Sequence, residues 1–352
     1  MVPERKLRIR SGSFQLFAVE DTESSPVAST GSSNRNIKDQ NRPIMSILTV
    51  QRRLASEMHQ GSKRMKSFNL AYSIFNPHLL TSKKLRPLLM IHGGPGIPSD
   101  YLKPVAKRIH NRSVILYDQI GCGDSSEPSD IEAYSIEFAL EDLEKLILHI
   151  GIETSGFHLM GHSFGGILAF KYMMSSLNRE ESSVIPNILS LTLCSTPMDI
   201  ASTMIESEQM FDSICNNEEQ NLTEQEAQRF FHSTFICRSQ NNIIPKALQE
   251  AYAKRGSVFT CDNVQDVSLQ FPNNTVKKLP PTMLLRGEYD FCSPEQCFGF
   301  KYILQADGDI QYAPFVCKTL ENCSHYPMLE DLSLFTKYIG GFFMDIDEIM
   351  DS

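Results

Sequence analysis

Nowhere in the 352-residue sequence is there a run of eighteen or more apolar residues, so no helix of ordinary length is expected to span a membrane. The opening stretch, MVPERKLRIRSGSFQLFAVE, lacks an apolar run long enough for a signal-peptide core. Secretion is therefore not expected, and a cytoplasmic location is. No C-x-x-C pair occurs among the nine cysteines, and the spacings Cys292 to Cys297 and Cys317 to Cys323 are unlike those of a zinc knuckle. Reduced, mostly buried thiols are expected rather than a disulfide scaffold. There is no dinucleotide-binding glycine loop and no metal-ligating cluster, so neither a cofactor nor a metal is expected. Excess positive charge is also missing: the net charge is −9, which gives no support for nucleic-acid binding. Only residues 1–66 are basic, with twelve Lys/Arg against six Asp/Glu. Those acidic residues argue against an organelle-targeting peptide, and a solvated extension is expected there.

What is present fits one large α/β domain with an insertion. Residues 7–19 read as a strand, and residues 21–66, rich in Ser, Asn, Gln and Arg, as a flexible insertion. Strand-like runs then follow at Phe68 to Phe75, Pro87 to Ile91, Ser113 to Tyr117, Phe157 to Met160 and Ile188 to Cys194. Between them Ile136, Leu140, Leu143, Leu146, Ile147 and Ile150 recur at helical spacing, and Gly151 ends that helix. Such alternation predicts a mainly parallel central sheet flanked by helices. From about residue 199 to 276 the chain is polar and helix-favouring; strands resume at Thr282 to Leu285 and Gln311 to Cys317, before a last helix near Leu332 to Phe343. The expected organisation is a core of 1–198 and 277–352, with 199–276 as a helical cap over the strand ends, where ligands bind in open α/β sheets.

The chemistry centres on Gly161-His162-Ser163-Phe164-Gly165, set between a strand and a helix. A strand that turns sharply into a helix with serine at the apex is a nucleophile elbow. A serine hydroxyl needs a base within reach, and the base needs an orienting acid. His325, in Cys323-Ser324-His325-Tyr326-Pro327 after the last strand, is the candidate base; His162 is expected to point away, and His92 lies in a glycine loop. Asp290 is the candidate acid, in the turn after Thr282 to Leu285, with Glu288 as the alternative. The order Ser163, Asp290, His325 is the one found in α/β-hydrolases. The oxyanion donors are expected to be the N–H of Phe164 and that of Gly94, in the His92-Gly93-Gly94-Pro95-Gly96 loop.

With these residues in place, the chain resembles the proline iminopeptidase (prolyl aminopeptidase) family of α/β-hydrolases, and especially the tricorn-interacting aminopeptidase branch. The resemblance rests on HGGPG at 92–96, on Asp118-Gln119-Ile120-Gly121-Cys122-Gly123-Asp124-Ser125 as a D-Q-x-G-C-G-x-S signature, and on the acid and base loops, over about residues 67 to 345. It implies an α/β-hydrolase fold and removal of an N-terminal residue, often proline, from a short peptide or aminoacyl amide. It also implies that acidic cap residues hold the substrate's free ammonium group; Glu226 and Asp266 are the positions that match, and the segment 199–276 carries eleven Asp/Glu against five Lys/Arg. The elbow departs from the family in reading Gly-His-Ser-Phe-Gly-Gly, where many members have Trp or Tyr after the serine. An amino-acid amidase or small-molecule esterase would use the same triad. A non-catalytic receptor of this fold is disfavoured because such proteins usually lose a triad member. The sequence does not fix the oligomeric state.

Overall fold

The computed structural model describes residues 42–54, 65–177, 186–217, 221–238, 243–269, 279–301 and 315–351. Its strands are β1 (Ile44–Arg53), β2 (Met65–Phe75), β3 (Leu88–Ile91), β4 (Val114–Tyr117), β5 (Phe157–His162), β6 (Ile188–Cys194), β7 (Thr282–Gly287) and β8 (Phe315–Leu320). They form one sheet in the order β1-β2-β4-β3-β5-β6-β7-β8. The β1–β2 and β2–β4 pairs are antiparallel and the rest are parallel. β3 and β4 read Leu-Leu-Met-Ile and Val-Ile-Leu-Tyr and are buried at every position, as a strand covered on both faces must be. Because β5 pairs with β3 rather than with β4, the direction of winding reverses between β3 and β5. A crevice opens beyond the strand ends at such a point. The glycine loop leaving β3 and the serine turn leaving β5 flank it.

The helices are α1 (Lys103–Arg108), α2 (Ile136–Ile150), α3 (Phe164–Leu177), α4 (Ile200–Cys215), α5 (Glu224–Phe231), α6 (Lys246–Ala253), α7 (Pro294–Phe298), α8 (Pro327–Glu330) and α9 (Leu332–Asp351). α2 shows why the sequence starts and stops a helix where it does. The Ser135 hydroxyl accepts from Phe138 N–H at its N-terminus, and Gly151 closes it in the left-handed region at φ 79°. Leu143, Leu146 and Ile147 face the core. Each such side chain, fully buried, contributes roughly 1.5–3 kcal/mol. At the other end of the sheet Asp347 of α9 accepts from Arg112 at 3.0 Å and lies 3.3 Å from the His158 ring, so α9 is tied to the sheet by polar groups that are themselves buried.

One expectation is corrected, and two fall on residues outside those described. Residues 44–53 are not part of a flexible insertion: they form β1, paired along its whole length with β2. The strand was hidden because its inward face ends in Arg52 after Leu48 and Val50, while Ile44, Met45 and Ile47 are exposed, so apolar and polar residues do not alternate. Arg52 is buried in an ion pair with Asp142 of α2 and stacks on Phe138, which satisfies a charge that hydrophobic periodicity counts as exposed. The last strand is Phe315–Leu320; residues 311–314, expected to begin it, lie outside the described residues, as does the strand expected at 7–19.

α4, α5 and α6 fall between β6 and β7, where helical structure was expected. The end of that segment is fastened to both glycine loops. Gly256 N–H donates to Gly96 C=O at 2.8 Å, Gly123 N–H to Lys254 C=O at 3.0 Å, and Ser257 N–H to Glu127 at 2.7 Å. Among the described residues no helix is long and apolar enough to cross a membrane. All nine cysteines are free.

Candidate active site

Ser163 stands between the last residue of β5 and the first of α3, with φ 53°. A non-glycine residue held in the left-handed region costs on the order of 1–3 kcal/mol and persists only where the surroundings fix it. Here Ser163 N–H donates to Cys194 C=O at 2.8 Å, and Ser163 C=O accepts from Gly166 N–H at 2.9 Å. The flanking glycines are needed for close approach. A Cβ on Gly161 would lie 2.2 Å from Gly165 C=O, and one on Gly165 would lie 2.3 Å from His92 C=O and 2.4 Å from Ile91 C=O. Gly165→Ala is therefore expected to drive α3 away from β3, at a cost of about 1–3 kcal/mol or more. Urea denaturation checks this; an unchanged midpoint would contradict the packing described.

His325 lies in the loop between β8 and α8, buried, and its Nδ1 is 2.8 Å from Asp290 Oδ1. Asp290 follows β7. Its Oδ1 also accepts from Cys292 N–H at 2.9 Å, while Arg286 donates to the Asp290 and Cys292 carbonyls at 3.1 Å and shapes the turn. Burial alone would raise the Asp290 carboxyl, but the adjacent His325 and the hydrogen bonds it accepts hold it below the ordinary carboxylate value. Glu288, the alternative acid, is exposed and accepts from Asn322 N–H at 2.9 Å instead.

The mainly parallel sheet thus carries a serine turn after β5, a carboxylate after β7 and a histidine after β8. Residues 86–296 match the family model described as alpha/beta hydrolase fold. The chain belongs to the α/β-hydrolase fold family. A proline iminopeptidase of Saccharolobus solfataricus is 36% identical over 118 residues, 33% of this chain and 36% of that protein. A proline iminopeptidase of Chitinophaga pinensis is 25% identical over 197 residues, 52% of this chain and 64% of that protein. The matched stretch thus spans under two thirds of either relative's length. The crystal structure of proline iminopeptidase from Mycobacterium smegmatis superposes with a TM-score of 0.61 at 18% identity, covering 86% of this chain and 100% of that one.

In this α/β-hydrolase a chain of hydrogen bonds joins the glycine loop, the elbow and the histidine loop. Gly93 N–H donates to Tyr101 Oη at 2.6 Å, and Tyr101 Oη lies 2.8 Å from His162 Nδ1. His162 Nε2 is 2.8 Å from the His325 carbonyl. The directions follow from the groups: the Tyr101 proton goes to Nδ1, which leaves Nε2–H to donate to His325 C=O. Burial, with the His325 ring beside it, lowers the His162 pKa to about 3, so it stays neutral and keeps that tautomer. His162 does not simply point away from the serine, as the sequence suggested; it reaches the backbone of the base. Tyr101 was not foreseen, because its two partners are distant in sequence.

The glycine loop abuts the serine, since a Cβ on Gly93 would lie 2.9 Å from Ser163 Cβ. Gly94 adopts φ 120°, a conformation open to glycine. Among the described residues neither the Gly94 N–H nor the Phe164 N–H, the first of α3, has an acceptor. The D-Q-x-G-C-G-x-S segment now has a physical role. Asp118 accepts from Ser99 N–H at 2.9 Å and from Asp124 N–H at 3.0 Å, and Gln119 donates to His92 C=O at 2.8 Å while its N–H binds His92 Nε2 at 2.9 Å. The segment braces the residue that opens the glycine loop.

Three positions end elsewhere or have another explanation. Glu226 is exposed in the first turn of α5, where its carboxylate accepts from Thr223 N–H at 2.8 Å and Thr223 Oγ1 at 2.7 Å, a capping box. Asp266 is exposed in a turn. Neither makes a hydrogen bond or ion pair with Ser163, Asp290 or His325. Asp290, Cys292 and His325 offer possible ligand atoms within 4.8 Å of one another, yet Asp290 and His325 are already bonded to each other and burial pushes the Cys292 thiol well up, away from the thiolate a metal needs.

Proposed function

We propose that this α/β-hydrolase is a serine aminopeptidase that releases an N-terminal residue, proline first among the candidates, from short peptides or aminoacyl amides. The observation that carries the reading is the buried His325–Asp290 pair at 2.8 Å, in a loop whose His325 carbonyl accepts from His162, the residue next to Ser163. The names of the relatives support the substrate class. Among the described residues Ser163 Oγ has no hydrogen bond to the His325 ring, and in this reading rotation about its Cα–Cβ bond closes that contact when substrate binds. Asp290 holds Nδ1–H, which presents the Nε2 lone pair to the serine. Ser163 Oγ attacks the first carbonyl, His325 takes the proton and passes it to the leaving amine, and water then hydrolyses the acyl-enzyme by the same route. The amides of Gly94 and Phe164 hold the oxyanion. The acidic balance of residues 199–276 favours a cationic substrate, although the capping bonds of Glu226 leave its part in binding to another acidic group. A cytoplasmic place for the reaction agrees with nine free cysteines.

The test is a panel of prolyl and other aminoacyl amides, their N-acetylated forms and simple acetyl esters. The prolyl amide with a free amine is expected to be turned over fastest, and N-acetylation to lower kcat/KM by about 10²-fold or more, as for a site built to hydrogen-bond a group the analogue lacks. Faster cleavage of blocked amides or of esters would end the aminopeptidase reading and favour an amidase or esterase.

A further inference from the structure

One half-buried carboxylate near the base plays no part in the mechanism above. Glu330, the last residue of α8, turns back toward the loop that carries His325. Its Oε2 accepts from Ser324 N–H at 2.5 Å, and its Oε1 accepts from Ser324 Oγ at 2.8 Å and from Tyr326 N–H at 3.2 Å. The residues on both sides of His325 are thus held by one side chain. Ser324 Oγ in turn accepts from Arg238 N–H at 3.2 Å, which brings the helical segment between β6 and β7 into the same cluster. Ser324, His325 and Tyr326 are all buried.

We propose that Glu330 is a positioning residue for His325, fixing the backbone of the base on both sides so that its ring meets Asp290 and Ser163 together. The proposal rests on the triad reading. A carboxylate suits the task because it only accepts, whereas an amide side chain would set its NH2 against N–H donors. Among the described residues no cation forms an ion pair with it: the Arg238 guanidinium lies 3.9 Å from the centre of the Tyr289 ring, and the titratable groups that face Glu330 are the thiols of Cys237 and Cys323. Asp331, next along the chain, also faces Cys323. Burial raises the Glu330 carboxyl to about 7 against the lowering effect of its donors. Protonation removes the negative charge and turns one acceptor site into an O–H, which weakens the three bonds. Acidification through neutral pH therefore loosens the loop.

Glu330→Gln in the full chain tests this. A misplacement of about 1 Å at a catalytic group costs on the order of 10²-fold. The expected result is a fall in kcat of about that size on the best aminoacyl amide, with KM within about threefold and the thermal midpoint nearly unchanged. The acid limb of kcat/KM is expected to become shallower, because the Glu330 carboxyl no longer titrates. By proton NMR, the protected Nδ1–H of His325 should exchange at least about tenfold faster. This last readout needs no turnover: if no substrate is cleaved but the proton is lost from protection, the aminopeptidase reading fails and the positioning role stands. Unchanged kcat, acid limb and proton exchange would overturn the proposal. So would a loss of kcat that merely follows a lowered midpoint. If Glu330→Gln does not fold, Ser324→Ala removes one of the three bonds and is expected to speed the same exchange while leaving KM in place; no change there also overturns it.

Discussion

Ser163→Ala is expected to abolish turnover of a prolyl amide, a loss on the order of 10⁴-fold or more. The reason is local. Alanine tolerates φ 53° no worse than serine does, and the backbone bonds of residue 163 to Cys194 and Gly166 use no side-chain atom. The elbow should keep its shape, and the Gly94 and Phe164 amides should still face the carbonyl, so substrate binding is expected to survive while acyl transfer does not. Residual catalysis by oxyanion donors alone would remain far below the wild type. A fluorophosphonate probe gives an independent check: it should label the wild type at Ser163 and leave the variant unlabelled. Turnover within tenfold of the wild type, or labelling at another residue, would remove the serine from the mechanism.

The sequence displayed the candidate triad better than its supports. Ser163 and Asp290 each follow an apolar strand and His325 follows the more exposed β8, and strand ends are marked by local signals that periodicity detects. The same signals located β2 through β7 and helix α2. They missed β1 because Arg52 points inward to a partner ninety residues away, in α2. Glu226, which the family resemblance implied as an ammonium ligand, is engaged in a capping box that Thr223-Glu224-Gln225-Glu226 spells out locally. The supports of the site were not legible at all. Tyr101 meets His162 across sixty-one positions, and Gln119 meets His92 across twenty-seven. Hydrogen bonds of that range follow from the sheet order, which places β5 beside β3, and no spacing rule along the chain encodes it.

Asp290→Asn is expected to lower kcat by about 10⁴-fold with the fold retained. Asp290 Oδ1 accepts from both Cys292 N–H and His325 Nδ1. An asparagine is the same size, but one oxygen position serves both donors. With the amide oxygen there both bonds are kept and only the negative charge that stabilises the imidazolium is lost. With the NH2 there the Cys292 bond is lost, and the ring must answer with a bare Nδ1, which moves its proton to Nε2, the atom needed to accept from Ser163. Either way the base is weakened while its position barely changes. Glu288→Gln is the matched control: that side chain is exposed and bonded to Asn322 N–H, so only a small change is expected. Stability gives a second signature. The Asp290 carboxyl is held below its ordinary 3.8 in the folded protein, so it contributes stability above that pH and loses it as the pH falls through the lower folded value. Wild type and Asp290→Asn should therefore differ in urea midpoint near neutral pH and converge in acid. If Asp290→Asn stays within tenfold of wild-type kcat while Glu288→Gln falls, the acid has been assigned to the wrong side of the turn.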